Sequence, residues 1–285
     1  MEKKPLPKDF MKKLSYYGLI GIFGLVFLCS ALYIGSYLLK SGEANNAYEN
    51  LDEYRDQIMA TMPTQPQPTG PAPTDPETGE TLAPTEPPVA TAPGGMLLEQ
   101  YPFYVMNNDM VGWIYVPDTK INYPVMQTPK MKDYYLYRNF DKMGSDWGAI
   151  YAREVCDINA PSDNITLYGH HMKDGSMFAG LDKFKKQAFW EDHQTFSFDT
   201  LYEHHTYQIW AVFKTSANLD EGFAYHQFSD AANEEEFNEF VSTVKSLQFY
   251  ETGITPQYGD KLLTLSTCEY SLNNGRFVVC AVRIS

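Results

Sequence analysis

A chain of 285 residues has room for one or two domains, and its 44% hydrophobic content is that of a globular protein with an apolar segment added. The formal net charge of −14 is uneven, with +3 on residues 1–13 and −17 on the rest, so the main body repels nucleic acid and other polyanions. Four cysteines without C-x-x-C spacing give no disulfide framework. The adjacent pairs His170-His171 and His204-His205 lack the i, i+4 spacing of a zinc helix, so neither a metal nor a cofactor is predicted.

The first predicted element is a transmembrane helix over residues 16–39, uncharged, almost wholly apolar and long enough to cross a hydrocarbon core of roughly 30 Å. Lys3, Lys4, Lys8, Lys12 and Lys13 precede it, against Glu2 and Asp9, whereas Glu43, Glu49, Asp52 and Glu53 follow. The positive-inside rule therefore makes residues 1–15 a cytoplasmic basic tail and sends everything after Lys40 outside, a single-pass topology with the folded domain extracellular. A cleaved signal peptide fits less well, because the stretch exceeds an h-region of about 7–15 residues and no Ala-x-Ala follows. Leu28, where a small residue is needed before Cys29, argues against a lipoprotein cleavage site.

Residues 40–62 read as a short juxtamembrane helix, with Tyr48, Leu51, Ile58 and Met59 as its apolar positions. Residues 63–95 are rich in Pro and Thr and nearly free of large apolar side chains, so they form a disordered tether. Inside it, Pro76-Glu77-Thr78-Gly79 has the form of a Pro-x-Thr-Gly string, which a tether of this composition produces by chance.

The folded domain is expected over residues 96–285. Residues 97–111 predict one or two short helices. Trp113–Val116 and Ile121–Val125 predict strands around the turn Pro117-Asp118-Thr119-Lys120, followed by strands at Ala149–Ala152 and Ile165–Tyr168. A helix capped by Asp174 or Ser176 is expected to run to about Trp190 with Met177, Leu181, Phe184 and Ala188 inward. Strands at Phe196–Phe198 and Thr206–Phe213 come next. Asp230 or Asn233 then opens an acidic helix whose buried face is Phe237, Phe240, Val241, Val244 and Leu247. Many strands with few helices argue for a mainly β, closed or nearly closed barrel with peripheral α-helices.

Two apolar runs close the chain, Lys261–Glu269 and Arg276–Arg283, around the turn residues Asn273-Asn274-Gly275; they predict antiparallel neighbours with Cys268 facing Arg276. A thiol beside a permanent cation is the setting that favours thiolate. The missing base is found in Tyr168-Gly169-His170-His171-Met172, a histidine at a strand end behind a glycine that lets another backbone approach closely. The motifs TLSTC, YGHHM and Arg-Phe-Val-Val, together with Asn108-Asp109, Gly112-Trp113-Ile114 and Tyr123-Pro124-Val125-Met126-Gln127, resemble those of the class B sortases over roughly residues 97–285.

That resemblance implies a sortase-like barrel with the acidic helix between the sixth and seventh strands, and a catalytic set of Cys268, His170 and Arg276. The sortase pattern sets the histidine directly after the glycine, which selects His170 over His171. The resemblance also carries over Ser266, Thr267 and Glu269 as substrate-binding residues. The implied activity is cysteine transpeptidation. The C-terminal sorting signal of a secreted protein, of Asn-Pro-x-Thr-Asn or Pro-x-Thr-Gly type, is cleaved through a thioester and passed to a peptidoglycan or pilin amine at the Gram-positive cell surface. A cell-wall cysteine endopeptidase and a catalytically silent wall-binding scaffold are the alternatives. Cys156 and Cys280 read as small buried hydrophobes, and His193, His204, His205 and His226 as surface loop residues.

Overall fold

A computed structural model describes residues 8–62, 91–218 and 220–285. The tether lies outside the described residues up to position 90, as do Pro76–Gly79 and residues 1–7 of the basic tail, whereas residues 91–95, expected in the tether, are ordered: Thr91 bridges to Leu97, the Ala92 amide donates to the Met96 carbonyl at 2.8 Å and Pro93–Gly95 form a 3-10 turn. The chain divides into a helical unit ending at Glu49 and a second unit, Asn50–Ser285.

Helix α1 runs from Lys8 to Thr61, so the predicted transmembrane and juxtamembrane helices are one element with no break at Lys40. The stretch after Lys40 contains Gly42 but no proline, and a single glycine costs a helix only about 1 kcal/mol. The helix is long and apolar enough to cross a membrane. Its last turns belong to the second unit, where Arg55 pairs with Asp199 at 3.5 Å and lies 4.9 Å from the Trp113 ring centroid.

Eight strands close into a barrel: β1 (Met110–Tyr115), β2 (Asn122–Met126), β3 (Ile150–Ala152), β4 (Asn164–Tyr168), β5 (Thr195–Thr200), β6 (Thr206–Ser216), β7 (Leu262–Glu269) and β8 (Gly275–Arg283), ordered β1-β2-β3-β4-β7-β8-β6-β5. The predicted barrel is therefore the fold observed. All pairings are antiparallel except β2 with β3 and β4 with β7. Leu262 to Thr267 of β7 are all buried, which accounts for a near-continuous apolar run instead of a two-residue alternation.

Among the described residues, α2 (Tyr101–Met106), α3 (Gln187–Asp192) and α4 (Glu234–Leu247) follow α1 as the α-helices of the fold. Asn233 caps α4 by accepting a hydrogen bond from the Glu236 amide, whereas Asp230, the other proposed cap, instead accepts from Ser162 and the Asp163 amide. Phe237, Phe240, Val241 and Val244 of α4 pack with Trp210, Phe213 and Val278, and each such burial is worth about 1.5–3 kcal/mol. Leu247, expected on that face, is 36% exposed because it ends the helix.

The helix expected up to Trp190 is two pieces: a 3-10 segment, Phe178–Lys185, and α3, separated by an extended Lys186 (φ −101°, ψ 119°). Phe178, Leu181 and Phe184 recur every third residue, which matches three residues per turn and brings all three into the core. Trp190 takes the inward place predicted for Ala188, which is exposed. His205, read as a surface residue, is 8% exposed, and burial together with nearby Arg283 lowers its pKa.

Candidate active site

The register of three strands determines which groups meet. Parallel β4 and β7 pair Tyr168 with Ser266, so residues two further on, His170 just past β4 and Cys268 near the end of β7, come to the same rim. Antiparallel β7 and β8 pair Cys268 directly with Arg276. Neighbouring strands lie about 4.8 Å apart, so thiol, imidazole and guanidinium all rise from adjacent strand ends.

Cys268 is half-buried, in contrast with Cys156 and Cys280, which are buried free thiols. Cys156 lies 3.6 Å from the Asn164 carbonyl and Cys280 3.6 Å from the Thr264 hydroxyl. Burial raises the pKa of Cys156 and pushes that of Cys280 up to about 12. Among the described residues Cys268 makes no hydrogen bond, so its sulfur is not engaged by His170 or Arg276. Catalytic hydrogen bonds are often loose before substrate binds.

The segment carrying the histidine is tied to β7 at two points. The Gly169 amide donates to the Ser266 carbonyl at 3.2 Å, and the Thr267 hydroxyl donates to the Gly169 carbonyl at 2.8 Å. A Cβ on Gly169 would lie 2.5 Å from Ile150 Cδ1 and 2.7 Å from Phe178 Cγ, so the close neighbours that require glycine are side chains and not another backbone. His170 Nε2 lies 2.7 Å from the Leu136 carbonyl oxygen, and its ring sits 5.5 Å from that of Tyr137. His171 is committed elsewhere, with Nε2 3.0 Å from Asp182 and its carbonyl accepting from the Tyr270 hydroxyl.

Arg276 is half-buried and folds back on its own turn, donating to the Asn274 and Gly275 carbonyls and to Asn274 Oδ1. Asn274 holds this turn in the left-handed region at φ 48°. Of the three residues carried over as substrate-binding, Ser266 is buried with its hydroxyl 2.6 Å from that of Tyr225, and Thr267 is buried on Gly169. Glu269 accepts from both the amide and the hydroxyl of Ser271 and lies 3.8 Å from Lys185. Partial burial raises its pKa, but the Ser271 bonds and the Lys185 and Lys214 charges outweigh it and leave the carboxyl below its ordinary range. Among the described residues no cluster of three His, Cys, Asp or Glu forms a metal-binding group.

Two features of the site had no signal in the sequence. Tyr225 lies on the β6–β7 connection and is 1% exposed. Burial pushes its pKa up to about 12 against the opposing Ser266 bond and the nearby Arg276 charge. The Leu136 carbonyl belongs to a 3-10 turn, Tyr134–Tyr137, and a backbone acceptor has no letter of its own.

A family model for the sortase domain matches residues 114–284. The chain is also 34% identical over 177 residues to sortase B of Listeria monocytogenes, covering 61% of this chain and 69% of that protein. The chain belongs to the sortase family, in its class B. A Staphylococcus aureus sortase B-substrate complex superposes with a TM-score of 0.69 at 25% identity, covering 87% of this chain and 99% of that one. A sortase B complexed with triglycine gives 0.68 at 25% identity, covering 86% and 99%. As a class B sortase, this protein is a cysteine transpeptidase of the kind that anchors proteins to the cell wall.

Proposed function

We propose that this sortase uses Cys268, His170 and Arg276 to cleave a C-terminal sorting signal, of Asn-Pro-x-Thr-Asn or Pro-x-Thr-Gly type, and to transfer the acyl group to a peptidoglycan or pilin amine. The observation that carries the reading is the register Tyr168 with Ser266 and Cys268 with Arg276, which gathers the three residues at one rim. The Cys268 thiolate attacks the scissile carbonyl, forming a tetrahedral intermediate and then a thioester. The thiol proton, taken by His170, passes to the departing amine. Arg276, with a backbone N–H near Glu269, stabilises the oxyanion as charge develops. The acceptor amine then attacks the thioester, His170 removes its proton, and an amide forms as the thiolate leaves. Ser266, Thr267 and Glu269 belong to the substrate floor in this reading, the first two through the backbone and neighbours their buried hydroxyls hold.

The involvement of a sorting signal and an amine is supported by the substrate complex and the triglycine complex known for similar sortase B structures. The five lysines ahead of the apolar part of α1 and the carboxylates after it support a membrane-anchored ectodomain with a cytoplasmic N-terminus.

The test is to incubate the full chain, reconstituted in membranes, with sorting peptides and with or without candidate amines, and to read products by mass. Amine-dependent amide product, absent in Cys268→Ala, is expected. Hydrolysis at the same rate whatever the amine would convert the reading to an endopeptidase, and unchanged function in Cys268→Ala would make the protein a scaffold.

A further inference from the structure

We propose that the main-chain carbonyl of Leu136, seated by Gly148, is the positioning group for His170, and that it assigns proton transfer to Nδ1. This inference rests on His170 being the acid–base group of the reaction above.

A carbonyl oxygen only accepts, so the 2.7 Å contact between Leu136 O and His170 Nε2 requires the proton to be on Nε2. The neutral ring then carries its lone pair on Nδ1, which has no hydrogen-bond partner among the described residues. The main chain on either side is fixed as well. Thr267 holds the Gly169 carbonyl, and the Phe178 amide donates to the His170 carbonyl at 2.9 Å. What remains free is rotation of the imidazole, and the Leu136 carbonyl locks it in one orientation. This is the arrangement of a base oriented by a third group, with a neutral backbone acceptor in place of a carboxylate.

The acceptor is itself built in. The 3-10 turn that presents it is anchored by the Ala149 amide on the Tyr135 carbonyl (3.0 Å), by the Tyr135 hydroxyl on Asp109 (2.9 Å) and by the Tyr151 hydroxyl on Asp133 (2.9 Å). Gly148, at φ +62°, occupies the hollow behind it. A Cβ there would lie 2.5 Å from Leu136 O, 2.8 Å from Tyr135 O and 3.1 Å from the Leu136 carbonyl carbon. Any side chain at 148 meets both a strained backbone and two carbonyl oxygens, so the carbonyl that His170 needs is displaced first.

In the reaction the proton leaves the Cys268 sulfur for Nδ1, making an imidazolium whose Nε2–H stays on Leu136 O. The Nδ1 proton then goes to the amine released as the scissile C–N bond breaks, and the acceptor amine later returns a proton to Nδ1. That second proton passes to the Cys268 sulfur as the thioester C–S bond breaks, so Nδ1 holds one proton at a time and the Leu136 bond is never broken.

The experiment uses the full chain in detergent micelles, labelled with [15N]histidine, and a sorting peptide with triglycine as acceptor. In wild type, His170 is expected as the neutral Nε2–H tautomer. Gly148→Ala is expected to lower kcat on the order of 10²-fold, the usual cost of a misplacement near 1 Å, with KM changed less than twofold, and to lose the single tautomer. Tyr151→Phe, which loosens the turn from outside the site, is expected to change both readouts in the same direction by less, and it decides the matter if Gly148→Ala does not fold. An Nδ1–H tautomer in wild type would overturn the inference, as would wild-type kcat and tautomer in the folded Gly148→Ala chain or, failing that, in Tyr151→Phe. His170→Ala separates the two claims: retained transfer sinks the acid–base reading itself, whereas abolished transfer beside an unaffected Gly148→Ala sinks only the positioning role.

Discussion

The hydrogen bond between Tyr225 and Ser266 offers a quantitative test of how β7 is held. Both residues are 1% exposed and their oxygens are 2.6 Å apart, so removing either hydroxyl leaves the other buried without a partner. An orphaned buried hydroxyl costs about 1–3 kcal/mol, whereas removing both partners together is close to neutral. Tyr225→Phe and Ser266→Ala should therefore each destabilise the domain by about 2 kcal/mol, or about 4–8 °C in Tm for a domain of this size. The double variant should cost no more than either single variant, giving a coupling of at least about 2 kcal/mol. Thermal and urea unfolding followed by near-UV circular dichroism measures all four proteins. Additive single costs would refute the buried pair as the origin of the effect.

Stability should also decline at high pH. Burial raises Tyr207 and Tyr225 from 10.0 to about 12 and Cys280 from 9.0 to about 12. Their contributions are full below the ordinary values and lost as pH climbs toward 12, so urea midpoints should fall between pH 9 and 12, and Tyr225→Phe should flatten that fall. A midpoint flat over this range would contradict the burial of these groups. Among the thiols of residues 91–285, a maleimide should modify Cys268 first in the folded protein and reach Cys156 and Cys280 only in denaturant; equal rates would be inconsistent with their burial. His171→Asn should keep transpeptidation within a few fold while His170→Ala abolishes it, because His171 is held by Asp182; the reverse pattern in a peptide-transfer assay would exchange the two roles.

Much of this site was legible in the chain because the decisive contacts are between strand neighbours. The run ending at Cys268, the turn at Asn274 and the strand opening at Arg276 are contiguous, so their pairing could be read from apolar pattern and turn chemistry alone. The histidine strand was recognisable as a strand, but its parallel alignment with β7 joins segments about 100 residues apart, which no local period records. The partners of the Ser266 and Thr267 hydroxyls lie 41 and 98 residues away, which no local pattern records. Period also misled where two helix types share a spacing: Phe178, Leu181 and Phe184 suit a 3-10 segment, and the change at Lys186 moved the inward position from Ala188 to Trp190. The continuity of α1 past Lys40 shows that a change of composition need not end a helix.

The most direct test is to trap the intermediate. The membrane-reconstituted chain, mixed with a sorting peptide in the absence of amine and quenched in acid, should yield an acyl adduct mapped by tandem mass spectrometry to Cys268, and a second addition of triglycine before the quench should discharge it into a new amide. An adduct on another residue, or cleavage that proceeds with no adduct on Cys268 at any time point, would contradict covalent transpeptidation at this rim of the barrel.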